Sequence, residues 1–199
     1  MTGSSVVGPA AGRAFVTRIF DFTSCPANGR AYKNRVPLPP EGSPHFDPHL
    51  GRLRQVWIRD PLYFITTCTK NRRAVLAEAA IVALLREEWL AAEVRHGWRI
   101  GRYVIMPDHV HFFAGPVAEK KTLSEFVGRW KEWTAKTILR TAGGDSPFWQ
   151  HRFFDHVIRS RTSYAEKWVY VRQNPVRAGL ALTPEAWPHA GHIHFDDPL

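Results

Sequence analysis

Two histidines separated by one apolar residue, His109-Val110-His111, lie in the run YVIMPDHVHFFAGP at 103–116. Side chains alternate between faces along an extended strand, so His109, His111 and Phe113 point one way and Val110, Phe112 and Ala114 the other. The second set is wholly apolar and suits a core. The first sets two imidazoles side by side, close enough to hold one metal ion; the alternative is a satisfied core histidine beside a surface one. Farther along, Tyr170 lies in RTSYAEKWVYVRQNPVRAGL. At about 100° per residue on a helix, Tyr164, Trp168 and Val171 share a core-facing stripe. Tyr170 points nearly opposite Trp168, among Glu166, Lys167, Gln173 and Asn174. It is either a partly exposed surface tyrosine or a nucleophile facing a polar site. Asn174, one turn beyond Tyr170, can reach a metal held by the two histidines, although Pro175 disfavours helical geometry at that position.

The elements that must position these groups follow from periodicity and turn chemistry. Residues 61–69, PLYFITTCT, are β-branched and aromatic and read as a first strand. VLAEAAIVALLREEWLAAEVRHG then runs at helical period, with Ile81, Leu84, Leu85, Glu88 and Ala92 on adjacent positions and Gly97 as the stop. Trp98 to Ile105 is a second strand, Met106-Pro107-Asp108 a turn, and 109–115 the third strand. Thr122 and Glu125 form a capping box for a helix that buries Leu123, Phe126, Val127, Trp130, Thr134, Thr137 and Ile138. Arg129, Lys131, Lys136 and Arg140 fall largely off that stripe. Residues 148–158 read as a fourth strand, and Ser163 with Glu166 as a capping box for a last helix from about Tyr164 to Asn174. The order β-α-β-β-α-β predicts an α+β fold, an antiparallel ferredoxin-like sheet with two helices on one face. The histidines belong on the other face, with the last helix placed to pack across it.

Around this unit, taken as 51–182, the chain divides into a Pro/Gly-rich irregular extension over 1–50 and a mostly irregular tail over 183–199. In the extension, Arg13, Arg18, Arg30, Lys33 and Arg35 are available to phosphates. The tail holds a second His-x-His, His192 and His194, near His189; it reads as an incidental surface cluster. GPVAEKKT at 115–122 lacks the second glycine of a phosphate-binding loop. A net charge of +9 favours a polyanionic partner, most simply nucleic acid. Two cysteines make neither a disulfide framework nor a thiolate zinc site and fit a reducing cytoplasm. No apolar run approaches membrane-spanning length, and the first residues lack the pattern of a signal peptide.

With YFITTCTKNR at 63–72, YVIMPDHVHFFAGP at 103–116 and FWQHRFFDHVIRSRTSYAEKWVYVRQNPVRAGL at 148–180, the chain resembles the single-tyrosine HUH transposases, most closely the REP-associated tyrosine transposase branch. The resemblance implies that His109 and His111 bind the metal, that Tyr170 is the nucleophile and that Asn174 helps bind the metal. It implies a ferredoxin-like fold, Mg²⁺ or Mn²⁺ as cofactor, and single-stranded or hairpin DNA as substrate. It also implies a homodimer as an expected assembly, and a cytoplasmic protein associated with the nucleoid when on DNA. Coordination preference alone points to zinc or manganese, since imidazole favours softer ions than Mg²⁺.

A tyrosine is a poor nucleophile near neutral pH, its ordinary pKa being about 10, and a phosphodiester repels an anion; a divalent ion on a non-bridging oxygen meets the second difficulty. Attack by Tyr170 would leave a 5′-phosphotyrosine and a free 3′-OH, conserving the bond for rejoining. Single strands are gripped by basic grooves with aromatic stacking. Arg129, Trp133 and Lys136, then Trp149, His151, Arg152 and Phe153, and finally Arg159, Arg161, Arg172 and Arg177 are the expected contacts. Two other readings stay open. One is a non-catalytic nucleic-acid-binding module of the same fold, which needs stacking aromatics on its central strands. The other is a hydrolase using metal-activated water, which needs a carboxylate base beside the histidines.

Overall fold

The computed structural model describes residues 61–117 and 121–197; the expected extension over 1–50 lies outside the described residues. Strands β1 (Leu62–Cys68), β2 (Trp98–Ile105), β3 (His109–Pro116), β4 (Phe154–Ile158) and β5 (Ala190–His192) form one sheet in the order β4-β1-β3-β2-β5. All four pairings are antiparallel. The first four strands have the expected ferredoxin-like arrangement. Every residue of β1 is buried, because both faces of the central sheet are covered.

One face carries Val110, Phe112 and Ala114 of β3 under helices α1 (Ala79–Leu90), α2 (Ala92–His96) and α3 (Leu123–Ala142). Aromatic rings fill this layer: Trp89 stacks on Trp130 at 5.7 Å and Trp98 on Phe126 at 5.0 Å. The capping box of α3 is present, with Thr122 accepting from the Glu125 backbone and Glu125 accepting from the Thr122 backbone. On the other face, Leu62, Phe64, Val104, Phe113 and Ile158 pack with Tyr164 and Val171 of α4 (Arg161–Arg172). The last helix therefore crosses the histidine face as expected, on the stripe read from its periodicity.

Several local expectations are corrected. The first helical run begins at Ala79 rather than near Val75, because Leu76 is drawn into the core and its N–H donates to Pro107 O at 2.7 Å. It also breaks at Ala91, so the buried stripe is Ile81, Val82, Leu85, Trp89 and Ala92. Gly97 does end the run, in the left-handed region at φ 71°. Lys131, expected off the buried stripe, is buried: its ammonium donates to the carbonyls of Gln150, His151 and Arg152. Trp149 forms an isolated antiparallel bridge with Thr69, and regular β4 starts only at Phe154. Ser160, not Ser163, caps α4, its hydroxyl accepting from Ser163 N–H at 3.1 Å.

The mostly irregular tail turns out to complete the sheet. Ile105 N–H donates to His189 O at 2.8 Å and Trp187 Nε1–H to Ile105 O at 3.0 Å. His194 Nδ1 accepts from Ile100 N–H at 2.9 Å, where β2 bulges. Phe195 lies on Gly101 so closely that a Cβ there would sit 2.3 Å from its ring. The second His-x-His is thus part of an edge-strand dock.

Candidate active site

The site is built where β3 begins. The turn before it is fixed from two sides: Thr69 N–H and Oγ1 donate to Asp108 O at 2.9 and 3.1 Å, and Met106 N–H closes onto His109 O at 2.8 Å. His109 and His111 then project from the same strand face, their rings 4.7 Å apart and edge to face at 85°. His111 is 2 % exposed and stacks on Phe64 at 5.5 Å.

Each imidazole is held through Nδ1. His109 Nδ1–H donates to Asp108 Oδ1 at 2.6 Å, while Asp108 Oδ2 takes an ion pair from Arg72 Nε at 2.7 Å. Burial works against the Asp108 charge, but the bond and charge of His109, followed by the charge of Arg72, hold its carboxyl below the ordinary range. His111 Nδ1 meets Thr66 Oγ1 at 2.8 Å across the β1–β3 pairing. With Nδ1 protonated on both rings, each Nε2 carries a lone pair. The Nε2 of His111 is buried and has no hydrogen-bond partner. Such an orphan is costly unless a ligand fills its lone pair. Burial first, then the positive neighbours His109, Arg72, Arg177 and Lys167, push the His111 pKa well below its usual value, which keeps that lone pair free of a proton.

These donors fit a divalent ion. The carboxylate behind His109 is the outer-shell partner that metal-bound histidines ordinarily have. No group of three or more His, Cys, Asp or Glu suited to a metal exists among the described residues. Asn174 lines the same pocket as Asp108, His109, Arg72 and Arg177 and is 9 % exposed. It does not continue α4. The helix stops at Arg172, Gln173 bridges, and Asn174 opens the short helix α5 (Asn174–Arg177) with Pro175 in its first turn. Its Oδ1 accepts from the Arg177 guanidinium.

Tyr170 is half-buried and lines the adjoining groove with Glu166, Val169, Gln173 and Arg177. It is not in the lining of the His109 pocket; Arg177 borders both. The Arg177 guanidinium lies 4.2 Å from the Tyr170 ring centroid and donates to Tyr170 O at 2.8 Å. The other tyrosine of α4, Tyr164, is buried, donates to Asp196 O at 2.9 Å, and has its pKa pushed up to about 12 by burial.

The expected DNA contacts divide. Arg152 and Arg159 are exposed near the two ends of β4, and Arg172, the last residue of α4, pairs with Glu185 at 2.9 Å. Arg129 and Lys136 are exposed on α3, in the helical layer behind the sheet, and are not brought together with the histidines. Trp149 is buried, and its Nε1–H donates to Thr134. Trp133 is 52 % exposed, its indole N–H donating to Glu88 at 2.9 Å.

Sequence reading did not find Thr66 or Arg72, and it read Asp108 as a turn residue alone. An acidic residue directly before the first histidine was the available signal for Asp108. Thr66 is 45 residues from His111 and only strand register brings it there. Arg72 is delivered by a turn in which Asn71 and Arg72 hold φ 57° and 56°, a conformation uncommon for residues other than glycine.

Residues 60–174, more than half of the chain, match the family described as "Transposase IS200 like". The chain belongs to this IS200-like transposase family. Among relatives of this chain, the REP-associated tyrosine transposase of Escherichia coli (strain K12) is 27% identical over 140 residues, covering 70% of this chain and 81% of the relative. A solved structure of a REP-associated tyrosine transposase bound to a REP hairpin superposes with a TM-score of 0.58 at 25% identity, covering 69% of this chain and 79% of that one. The antiparallel α+β fold is the one these neighbours have. No helix among the described residues is long and apolar enough to cross a membrane.

Proposed function

We propose that this protein is a metal-dependent endonuclease and strand transferase that cuts single-stranded DNA beside REP-like hairpins through a covalent 5′-phosphotyrosine at Tyr170. The observation that carries the reading is the histidine pair: both rings are braced at Nδ1, and a buried Nε2 on His111 is left without a partner. Membership of a transposase family and likeness to a relative solved on a REP hairpin support the DNA substrate. Acting on DNA, the protein would work in the cytoplasm, on the nucleoid.

A divalent ion, Mg²⁺ or Mn²⁺, held by His109, His111 and Asn174 would supply Lewis-acid charge to a non-bridging oxygen of the scissile phosphate. Asp108 would keep the His109 ring in the tautomer that presents Nε2, and Thr66 would brace the His111 ring at Nδ1. The Tyr170 hydroxyl loses its proton to solvent and its oxygen attacks phosphorus. The P–O3′ bond breaks, the 5′-phosphate stays on Tyr170, and the 3′-oxygen takes a proton to leave as a free 3′-OH. Reversal by another 3′-OH rejoins strands without a nucleotide triphosphate. Arg152 and Arg159, which are exposed, would take flanking phosphates, and Arg172 would do so on leaving Glu185. Because Tyr170 lines the groove next to the histidine pocket, a homodimer in which each tyrosine serves the partner's histidines is a second arrangement of the same chemistry. Mixing His111→Ala with Tyr170→Phe protein restores cleavage only in that arrangement.

The rival readings have less support. Phe64 and Phe113 on the histidine face are 1 % exposed beneath α4, so they offer no stacking platform to bases. Asp108, the adjacent carboxylate, has one oxygen on His109 and the other on Arg72, which leaves it poorly placed to activate water. The test is incubation with labelled hairpin DNA carrying a single-stranded flank, with Mn²⁺, on a denaturing gel. A labelled band at protein mass, absent with chelator, supports the proposal. Cleavage with no such band points to metal-activated water, and binding with no cleavage to the binding module.

A further inference from the structure

The pocket that holds His109 and Asn174 has an apolar wall that the proposed chemistry does not use. Met106, Pro107, Ala178 and Leu180 line a cavity of about 330 Å³, within the roughly 300–1,000 Å³ of sites that take small organic groups. Both parts of this wall are fixed through the backbone. Met106 N–H donates to His109 O at 2.8 Å, and Pro107 O accepts from Leu76 N–H at 2.7 Å. Beyond α5, Gly179 turns left-handed at φ 69°, its N–H donating to Val176 O at 3.0 Å, and Leu180 N–H reaches back to Pro175 O at 2.8 Å. At a helix end of this form the residue after the glycine often packs back on its own helix. Leu180 is nonetheless 44 % exposed and lines the pocket. A leucine held in place, yet open beside charged groups, suits the flat apolar face of a ring. The thioether of Met106 suits the same contact.

The charged lining, by contrast, is engaged. Arg72 donates to Asp108 and to Cys68 Sγ, Asp108 also accepts from His109, and Arg177 donates to Asn174 and to Tyr170 O. Such a pocket grips a ring by its faces and reads little of its edge. In a single strand, the ring nearest a bound phosphate is a nucleobase. Which base it is follows from in-line displacement, where attacking and leaving oxygens stand on opposite sides of phosphorus. Tyr170 lines the groove beyond Arg177, whereas Met106, Pro107, Ala178 and Leu180 line the histidine pocket alone. With the scissile phosphate beside His109 and Asn174, the 3′-oxygen departs towards that pocket.

Resting on the reading of His109, His111 and Asn174 as metal ligands and Tyr170 as nucleophile, we infer that Met106, Pro107 and Leu180 form a nucleobase subsite for the nucleotide on the 5′ side of the cut. It holds the base by ring contact, with little discrimination between bases, and so positions the sugar whose 3′-oxygen leaves. The same grip keeps the free 3′-OH end at hand for reversal.

The test is single-turnover cleavage of hairpin DNA with Mn²⁺ by the full chain, once its cut has been mapped. Intact DNA is compared with DNA abasic immediately 5′ of the cut and with DNA abasic immediately 3′ of it. The 5′ abasic site should slow cleavage about tenfold, the order of one stacked base, and the 3′ abasic site much less. Exchanging the 5′ base for another should matter far less than removing it. Leu180→Ala should slow cleavage of intact DNA several-fold and of 5′ abasic DNA no further, and Leu180→Met should keep most of the rate. Equal losses in Leu180→Ala on intact and abasic DNA would overturn the subsite, since independent effects add. So would a 5′ abasic site that costs nothing, or one whose cost is unchanged by Leu180→Ala, as when the base is held by pairing with other DNA. Coupling of Leu180 to the 3′ base would overturn the in-line assignment, and a strong preference for one base would overturn the ring-face grip. The underlying reading fails separately: cleavage that survives Tyr170→Phe or His111→Ala removes the site itself, whatever the abasic substrates do.

Discussion

Asp108 shows how much of the candidate site depends on a side chain that would touch neither metal nor DNA. It fixes the His109 tautomer through a 2.6 Å bond and is itself held by Arg72. Asp108→Ala should therefore weaken Mn²⁺ binding by roughly 10- to 100-fold, the usual cost of removing an outer-shell partner, with the thermal midpoint little changed; equilibrium Mn²⁺ titration beside a melting curve checks both. The histidine pair was legible in the sequence because strand alternation alone separates His109 and His111 from the apolar Val110, Phe112 and Ala114, and the structure seats those three in the core. The partners were not legible, since Thr66 is supplied by register between distant strands and Arg72 by a turn with positive φ. The choice between two tyrosines on one helix was legible from the wheel: Tyr164 is buried with its hydroxyl engaged, whereas Tyr170 borders a groove.

At the scale of elements, α4 sets where Tyr170 sits, and its first turn is secured from Ser160. Ser160→Ala should cost about 1 kcal/mol, the common value for an N-cap serine. Ser163→Ala should cost little, because Ser163 contributes its backbone N–H; chemical denaturation of the two variants separates them. The sequence favoured the Ser163–Glu166 pair because their spacing has the capping-box form, and spacing cannot tell which of two serines lies outside the helix. Strand β5 was missed for a related reason. Three residues in a Pro-rich segment carry no periodicity, and the dock is made by Phe195 on Gly101. Gly101→Ala should destabilise by about 1–3 kcal/mol, as overpacking does, with much of the loss recovered in Gly101→Ala/Phe195→Ala, which a double-mutant cycle by denaturant titration measures. Strands β1 to β4 and the order of the helices were legible because their runs are long and strongly patterned. The late start of α1 comes from the Leu76 N–H meeting the distant Pro107 carbonyl, and the burial of Lys131 from its meeting the carbonyls of 150–152, which no local pattern encodes.

For the whole molecule, the net charge of +9 makes salt the most informative variable. Affinity for single-stranded DNA should fall linearly in log–log form with salt, by about 0.7 per phosphate neutralised. Helices on both faces of the sheet add a spatial prediction. Arg159 stands at the end of β4 beside the start of α4, while Lys136 is on α3 behind the sheet. Arg159→Glu should reduce affinity and flatten the salt slope measurably, and Lys136→Glu should do so much less, as read by fluorescence anisotropy across a salt series.

The claim on which the rest depends is that Tyr170 becomes covalently attached to DNA. Trypsin cuts after Lys167 and Arg172, so the peptide WVYVR isolates Tyr170 from Tyr164, which falls in TSYAEK. The measurement is mass spectrometry of tryptic peptides after reaction with a hairpin oligonucleotide and Mn²⁺, followed by nuclease trimming of the attached strand. The account predicts a nucleotide adduct on WVYVR, absent with chelator and absent in Tyr170→Phe. An adduct on any other peptide, or efficient cleavage by Tyr170→Phe, would contradict it.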